Sequence, residues 1–150
     1  MKLSKETEQE IRQLYQAYWD AYLSGDFKTF ASFLDDDIII YGTAVGEIFY
    51  TKEEALRFYT ATAEEMTGKA DFRNRHIKIQ PVGDTIAIFD ESQLFILIDE
   101  TWTYYGYARI TGIFEHKNSG WKLVHQHGSF PDSRTEDGQQ VAREKIREEN

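Results

Sequence analysis

The first part of the chain carries apolar residues at helical spacing. Between Ser4 and about Ser24 they recur at steps of three and four residues, which places them on one face of a helix. This apolar stripe is rich in rings and consists of Ile11, Leu14, Tyr15, Tyr18, Trp19 and Tyr22. Gly25 follows the last apolar position and is a typical helix terminator. The pattern predicts an amphipathic helix whose aromatic face packs on a core.

Two further helices are indicated by capping residues. Asp26 is placed to cap a short helix over residues 27–34. Thr51 and Glu54 form a capping box, in which the Thr hydroxyl accepts from the N3 amide and Glu54 reaches back to the Thr51 amide. The helix that they open is predicted to run to about Met66.

Strands dominate the rest of the chain. A short strand over 38–41 contains three consecutive isoleucines, which predicts burial on both faces. From residue 69 onward the pattern is that of long strands joined by tight turns, and they are predicted at 69–80, 85–98, 101–116 and 121–130. Helices followed by consecutive hairpins indicate an α+β fold, with the helices on one face of a curved antiparallel sheet.

The last of these strands carries the most informative polar residues. Because side chains alternate along a strand, Trp121, Leu123, His125 and His127 are predicted to share one face, with Lys122 and Gln126 on the other. Two imidazoles on a face that begins with Trp and Leu indicate a polar floor inside an otherwise apolar pocket.

Three strings of residues carry a family resemblance. They are GDFKTFASFLDDDIIIYG (25–42), YARITGIFEH (107–116) and GWKLVHQHGS (120–129). In this order they resemble the SnoaL-like branch of the nuclear transport factor 2-like superfamily, and the chain is similar to the association domain of calcium/calmodulin-dependent protein kinase II. The resemblance covers most of residues 1–131, which we interpret as one domain, followed by a charged tail or helix over 132–150.

The resemblance implies a cone-shaped roll: a strongly curved antiparallel sheet of about six strands wrapped on three N-terminal helices, with a pocket between sheet and helices. It also implies a homodimer formed through the outer face of the sheet. The scaffold does not define a function, because it hosts enzymes, binding proteins and association domains.

Charge and composition narrow the classes of partner. The net charge of −9 argues against nucleic acid and anionic membranes, which bind basic surfaces. The chain has no cysteine, no signal-peptide pattern and no apolar run of membrane-spanning length. A cytoplasmic protein without a cofactor is the expectation.

The candidate ligand anchor is Arg109. An Arg in a strand with two mostly apolar faces needs an acceptor, either a structural partner such as Glu91 or Asp90, or an acidic ligand. These two alternatives are evenly balanced from the sequence. If Arg109 binds the ligand, a small anionic or carbonyl-bearing molecule is expected. The candidate ligand-binding residues are Trp19, Tyr41, Glu91, Tyr107, Arg109, His125 and His127.

Metal and catalytic sites are less well supported. His125 and His127 have only His76 as a further strand candidate, whereas a zinc site needs three or four ligands, so hydrogen-bonded histidines are favoured. Ketosteroid isomerase, of the same fold, uses an Asp base, but Tyr41 stands where the resemblance would place it. Arg73 and Arg75 are interpreted as a solvated face.

The sequence therefore favours a non-catalytic small-molecule-binding or sensory module that works as a homodimer. A small SnoaL-like enzyme, acting as isomerase, cyclase or hydratase, is the first alternative. A pure protein-association hub is the second.

Overall fold

The computed structural model describes residues 2–132. Its helices are α1 (Lys5–Ser24), α2 (Phe27–Ser32), α3 (Lys52–Ala61) and α4 (Ala63–Met66). Its strands are β1 (Leu34–Tyr41), β2 (Ile48–Phe49), β3 (Ala70–Val82), β4 (Thr85–Ile98), β5 (Thr101–Lys117) and β6 (Gly120–Ser129). Apart from Asp132, the charged tail predicted over 132–150 lies outside the described residues.

The helices begin at the predicted caps. Asp26 accepts from the backbone N–H of Thr29 at 3.2 Å, and Thr51 Oγ1 accepts from that of Glu54 at 3.1 Å. Glu54 itself bonds the backbone N–H of Tyr50 at 2.9 Å, and not the Thr51 amide as predicted. Each bond satisfies a donor that a helix start leaves free.

The six strands form one sheet in the order β2-β1-β6-β5-β4-β3. The predicted α+β fold with a curved six-stranded sheet is confirmed, with one difference. The first strand is parallel to β6, so the sheet is mixed and not wholly antiparallel. The chain can make this parallel pair because α3 and the long hairpins separate the two strands in sequence.

The aromatic stripe of α1 packs on the concave face of the sheet. Tyr15, Tyr18 and Trp19 are buried there with Ile38 and Ile40 of β1. The third isoleucine of that strand, Ile39, points to the opposite face and is 37% exposed, so the predicted burial of both faces is wrong for a single chain. One face of β1 contributes to the core and the other contributes to the outer surface.

Two bulges change which residues face the core. In β6 the partners shift from Ile113↔His125 to Phe114↔Leu123, which leaves Val124 as an extra residue. In β3 the register shifts between Arg73 and His76, where Asn74 adopts a left-handed φ of 54°. An extra residue reverses the alternation beyond it.

The bulge in β3 turns Arg75 into the core. Its guanidinium contacts Asp90 Oδ2 at 2.9 Å and lies over the rings of Phe72, Tyr15 and Trp19 at 4.8, 5.4 and 5.6 Å. The side chain of Arg75 is 14% exposed and that of Asp90 is fully buried, so the solvated face predicted for Arg75 is wrong. Tyr15 donates a second bond to Asp90 Oδ2 at 2.6 Å.

Removing this guanidinium is expected to destabilise the fold. Arg75→Met leaves the Asp90 carboxylate buried without its cation and should lower the free energy of unfolding by roughly 3–5 kcal/mol. Arg57→Met, at an exposed position of α3, is the matched control and should change it by about 0.5 kcal/mol or less. Urea denaturation of both variants measures this difference, and equal losses would show that the buried pair contributes no more than a surface residue.

Candidate functional site

A cavity of about 210 Å³ lies between the helices and the concave face of the sheet. Its walls come from α1, α3, α4, the loop after β1, and the inward residues of β3 to β6. Rings make up much of the lining: Tyr18, Trp19, Tyr22, Phe30, Phe58, Tyr59, Phe72 and Phe130. The aromatic side chains that the composition shows in excess therefore both fill the core and line a void.

A hydrogen-bonded pair supplies the polar part of the inner wall. Tyr18 donates from its hydroxyl to Gln126 Oε1 at 2.7 Å, joining α1 to β6. Both side chains line the cavity and both are buried. Burial raises the pKa of Tyr18 well above its usual value, so this hydroxyl keeps its proton and acts as a donor.

A carboxylate lies in the largely exposed loop after β1, residues 42–47, which is called the entrance loop below. Glu47 is half-buried in the cavity wall, and burial raises the pKa of its carboxyl above the ordinary value. Tyr22 is close enough to be affected: burial, and secondarily the Glu47 charge, raise the pKa of Tyr22 to about 12. Burial also raises the pKa of Tyr59, and the neighbouring Tyr22 and Glu47 add to that rise.

The loop that carries Glu47 depends on Gly42. A Cβ on Gly42 would lie 2.0 Å from a Glu47 carboxyl oxygen and 2.7 Å from Glu47 Cβ. The backbone N–H of Gly42 also donates to the Glu47 carbonyl at 2.7 Å. Absence of a side chain at Gly42 therefore lets the Glu47 side chain fold over the backbone toward the cavity.

Of the seven predicted ligand-binding residues, Trp19 lines the cavity. The other six, Tyr41, Glu91, Tyr107, Arg109, His125 and His127, do not. They lie together on the outer face of the sheet, where Glu91 is opposite Arg109 and Thr111 is opposite His127. The prediction that these six residues face the cavity is wrong.

The outer-face residues interact with each other. Tyr107 donates to Glu91 Oε2 at 2.9 Å, and Arg109 is the cross-strand neighbour of Glu91. The Tyr41 ring lies edge-on to His125 and His127, with centroids 5.7 and 5.5 Å apart. His125 Nδ1 also lies 2.8 Å from the Ile39 carbonyl oxygen.

The bulge at Val124 explains the error in β6. Leu123 faces the core as predicted, but the extra residue turns His125 and His127 outward. Gln126, Gly128 and Phe130 then line the cavity in their place. Strict alternation along the strand could not show this, because a bulge depends on how β5 and β6 pair.

Arg109 lies outward for a different reason. Side chains alternate regularly along β5 between Tyr107 and Ile113, but the sequence did not show which of the two faces meets the helices. Ala108 and Ile110 are the inward residues. Small and aliphatic side chains there leave room for the cavity, whereas the row of Arg109 is exposed to solvent.

Sequence reasoning missed the residues that matter most inside the cone. No sequence pattern indicates Glu47, and strict alternation along β6 predicts the wrong face for Gln126. The sequence indicated Asp90 only as an alternative partner of Arg109. The Tyr residues of α1 were the available signal, because buried hydroxyls need partners on the sheet.

Behind the cavity, polar atoms of β3 and β4 have no hydrogen-bond partner within the described residues. They include Arg75 Nε, Asp90 Oδ1 and Ser92 Oγ. Ser92 pairs across the ladder with Ala108, a cavity residue, and Trp19 lies between the cavity and Arg75. The inner end of the cone is therefore polar, although the cavity wall in front of it is mostly apolar.

Comparison with known proteins identifies the family. A family model described as the SnoaL-like domain matches residues 11–133. The chain belongs to the SnoaL-like family. No curated protein matches it. The match begins within α1, at Ile11, and extends past the end of β6.

Solved structures similar to this SnoaL-like domain share its fold. A nuclear transport factor 2-like protein of unknown function from Pseudomonas putida is 21% identical with a TM-score of 0.75, covering 89% of this chain and 94% of that one. A candidate dehydratase from Streptomyces avermitilis is 18% identical with a TM-score of 0.71, covering 87% and 100%. A candidate calcium/calmodulin-dependent protein kinase II association domain from Xanthomonas campestris is 15% identical with a TM-score of 0.64, covering 83% and 87%.

Two features are absent from residues 2–132 of the SnoaL-like domain. Within residues 2–132, no three His, Asp or Glu side chains come together as a metal site would require. None of the helices in that range combines the length and the apolar character needed to cross a lipid bilayer.

The burial of Glu47 has a consequence for stability. Because its pKa is raised in the folded chain, folding takes up a proton at this residue between the ordinary value of 4.5 and the raised value. The stability contribution of Glu47 therefore falls as the pH rises through that interval. Glu47→Gln should melt at a higher temperature than the wild type at pH 7, and the two should converge below about pH 4.

Thermal melts from pH 3.5 to 8 measure this effect. Glu65→Gln, on the exposed rim of the same cavity, removes an equal charge and should show little pH-dependent difference in melting temperature from the wild type. A Glu47→Gln variant that is less stable than the wild type at pH 7 would contradict the assignment of a desolvated carboxylate.

Proposed function

We propose that this SnoaL-like domain binds a small, largely apolar molecule in the cavity inside its cone. The observation that carries the proposal is the 210 Å³ cavity itself, with its lining of aromatic side chains. Apolar cavities of about 150 Å³ bind benzene. A void somewhat larger suits a substituted aromatic ring or a compact aliphatic molecule.

The Tyr18–Gln126 pair supports one further property of the ligand. Gln126 Oε1 already accepts the Tyr18 hydroxyl, which leaves the donor side of the amide for other partners. Gln126 lines the cavity, so a ligand oxygen is a suitable acceptor. A carbonyl-bearing ligand thus remains the proposal, with Gln126 and not Arg109 as its donor.

Glu47 favours a second candidate function, that of a small enzyme. A carboxylate in an apolar wall has a raised pKa, which suits a general base at neutral pH. One similar structure is described as a candidate dehydratase. Glu47→Gln separates the two functions: it should abolish turnover by an enzyme, and it should leave the affinity of a binding module for a neutral ligand unchanged.

A pair of neighbouring substitutions tests the binding function. Ala108 faces the cavity and Arg109 faces outward, one residue away on the same strand. Ala108→Leu should fill part of the void and abolish binding of acetophenone, a small aromatic ketone, while Arg109→Ala should bind it as the wild type does. Amide shifts in ¹H–¹⁵N spectra report binding, and thermal melts confirm that both variants fold.

The outcome is decisive in either direction. Acetophenone binding that survives Ala108→Leu, or that disappears equally in both variants, would place the ligand outside the cavity. The binding function would be overturned if acetophenone, benzylamine, benzyl alcohol and benzoate all failed to shift the amide signals of the wild type.

We further propose that the domain forms a homodimer through the outer face of the sheet. Apolar side chains are exposed there, among them Ile39, Tyr41 and Phe89. The same face carries charges of both signs, including Lys78, Glu91 and Arg109, so a two-fold copy would find complementary groups. The description of one similar structure as an association domain supports this arrangement.

A charge placed in the centre of that face should prevent association. Phe89→Glu is expected to give the mass of one chain in sedimentation velocity, whereas the wild type gives twice that mass. Val82→Glu, an equally exposed apolar position at the β3–β4 turn, is the control and should remain dimeric. A wild-type monomer at high concentration would refute the dimer.

A further inference from the structure

The charged side chains that line the cavity within the described chain are all acidic. They are Glu47 in the entrance loop and Glu65 on α4. Neither Lys, Arg nor His is among the lining residues. The cavity therefore presents negative charge to any molecule that enters it, and Arg109, on the outer face, does not offset that charge.

The rings of the wall are arranged at right angles to each other. Tyr22 lies edge-on to Trp19 (centroids 5.6 Å apart, 88° between planes) and to Tyr59 (5.2 Å, 81°). Because neighbouring rings are perpendicular, the aromatic walls of the cavity face several directions. The face of each ring carries negative potential. Ring faces that line a cavity attract organic cations.

Glu47 has no cation to compensate its burial. Among residues 2–132 it forms no salt bridge, and its carboxylate accepts a hydrogen bond from the backbone N–H of Ala44. The nearby phenols are those of Tyr22 and Tyr59, which its charge affects. A carboxylate removed from water and left without a cation is unfavourable, so a positively charged ligand group would complete this end of the cavity.

The other interior cation does not oppose such a ligand. Arg75 lies behind Trp19 and Phe72 and is paired with Asp90 at 2.9 Å. The pair is neutral in sum. At longer range the net charge of −9 attracts cations toward the domain and repels anions.

We infer that the ligand of this cavity is an organic cation: an amine carried on an apolar group the size of a substituted benzene, with its ammonium beside Glu47 and its apolar group among the rings. This inference rests on the proposed binding function and names the chemical class of the ligand. Among the described residues, no basic side chain lines the cavity to bind the anionic ligand expected from Arg109, whereas an amine that also carries a carbonyl fits both Glu47 and Gln126.

Three probes of nearly equal size and different charge test the inference. Benzylamine is a cation at pH 7, benzyl alcohol is neutral and benzoate is an anion. Titrations followed by the amide signals of Gly128 on β6 and Met66 on α4, which belong to the sheet and to the helices that line the cavity, give the three dissociation constants. Benzylamine should bind at least about five-fold more tightly than benzyl alcohol, and benzoate should bind most weakly.

Matched variants assign the preference to one carboxylate. Glu47→Gln should remove the advantage of benzylamine and leave the affinity for benzyl alcohol unchanged. Glu65→Gln makes the same change in net charge on the exposed rim and should retain most of the advantage. The comparison separates the local contact from general attraction by an acidic protein.

The possible outcomes distinguish the two proposals. Benzyl alcohol that binds as tightly as benzylamine, or more tightly, would overturn the cationic ligand and leave the binding function intact. Failure of all three probes and of acetophenone would overturn both. A preference for benzylamine that survives Glu47→Gln, or is lost equally in Glu65→Gln, would overturn the role of Glu47.

Discussion

Helix α1 is held on the concave face of the sheet by two buried phenol hydroxyls, and the interior of the domain depends on them. Tyr15 donates to Asp90 at 2.6 Å and Tyr18 donates to Gln126 at 2.7 Å. A buried hydroxyl without a partner costs about 1–3 kcal/mol, so these bonds fix both the rotation of the helix and its position along the strands. Trp19, the residue after Tyr18, is thereby directed into the cavity.

The placement of polar groups inside the cone follows from this attachment. On β4 the carboxylate of Asp90 is balanced by Arg75, so the inner end is polar but electrically neutral. Glu47, at the entrance loop, has no such partner among residues 2–132, and its charge acts on the cavity itself. The same void therefore combines an apolar, ring-lined body with an uncompensated carboxylate at one side, and this combination is the basis of the proposed selectivity for a cation.

The two faces of the sheet are chemically separate. The inward row of β5, with Ala108 and Ile110, is small and aliphatic, while the outward row carries Tyr107 and Arg109. The proposed ligand binding uses the first face, and the proposed association with a second copy uses the second. Because only the thickness of one sheet lies between them, a substitution on one face can be compared with its neighbour on the other, as with Ala108 and Arg109.

The sequence by itself determined the elements and the fold class. Helical spacing, the caps at Asp26 and Thr51, and the long alternating runs predicted the helices and strands, because these signals act between residues close in the chain. It also indicated the family, and with it the sheet wrapped on helices. The α1 tyrosines were correctly assigned to a core-facing stripe.

Only the tertiary structure decided which residues face the cavity. The bulges at Val124 and Asn74 turn His125 outward and Arg75 inward, and neither can be read from one strand, since a bulge is a property of two paired strands. The choice between the rows of Ala108 and Arg109 required knowing where α1 packs. The burial of Glu47 required the loop fold over Gly42. Each of these depends on contacts between residues distant in the chain, and a single register shift reverses the side chains that follow it.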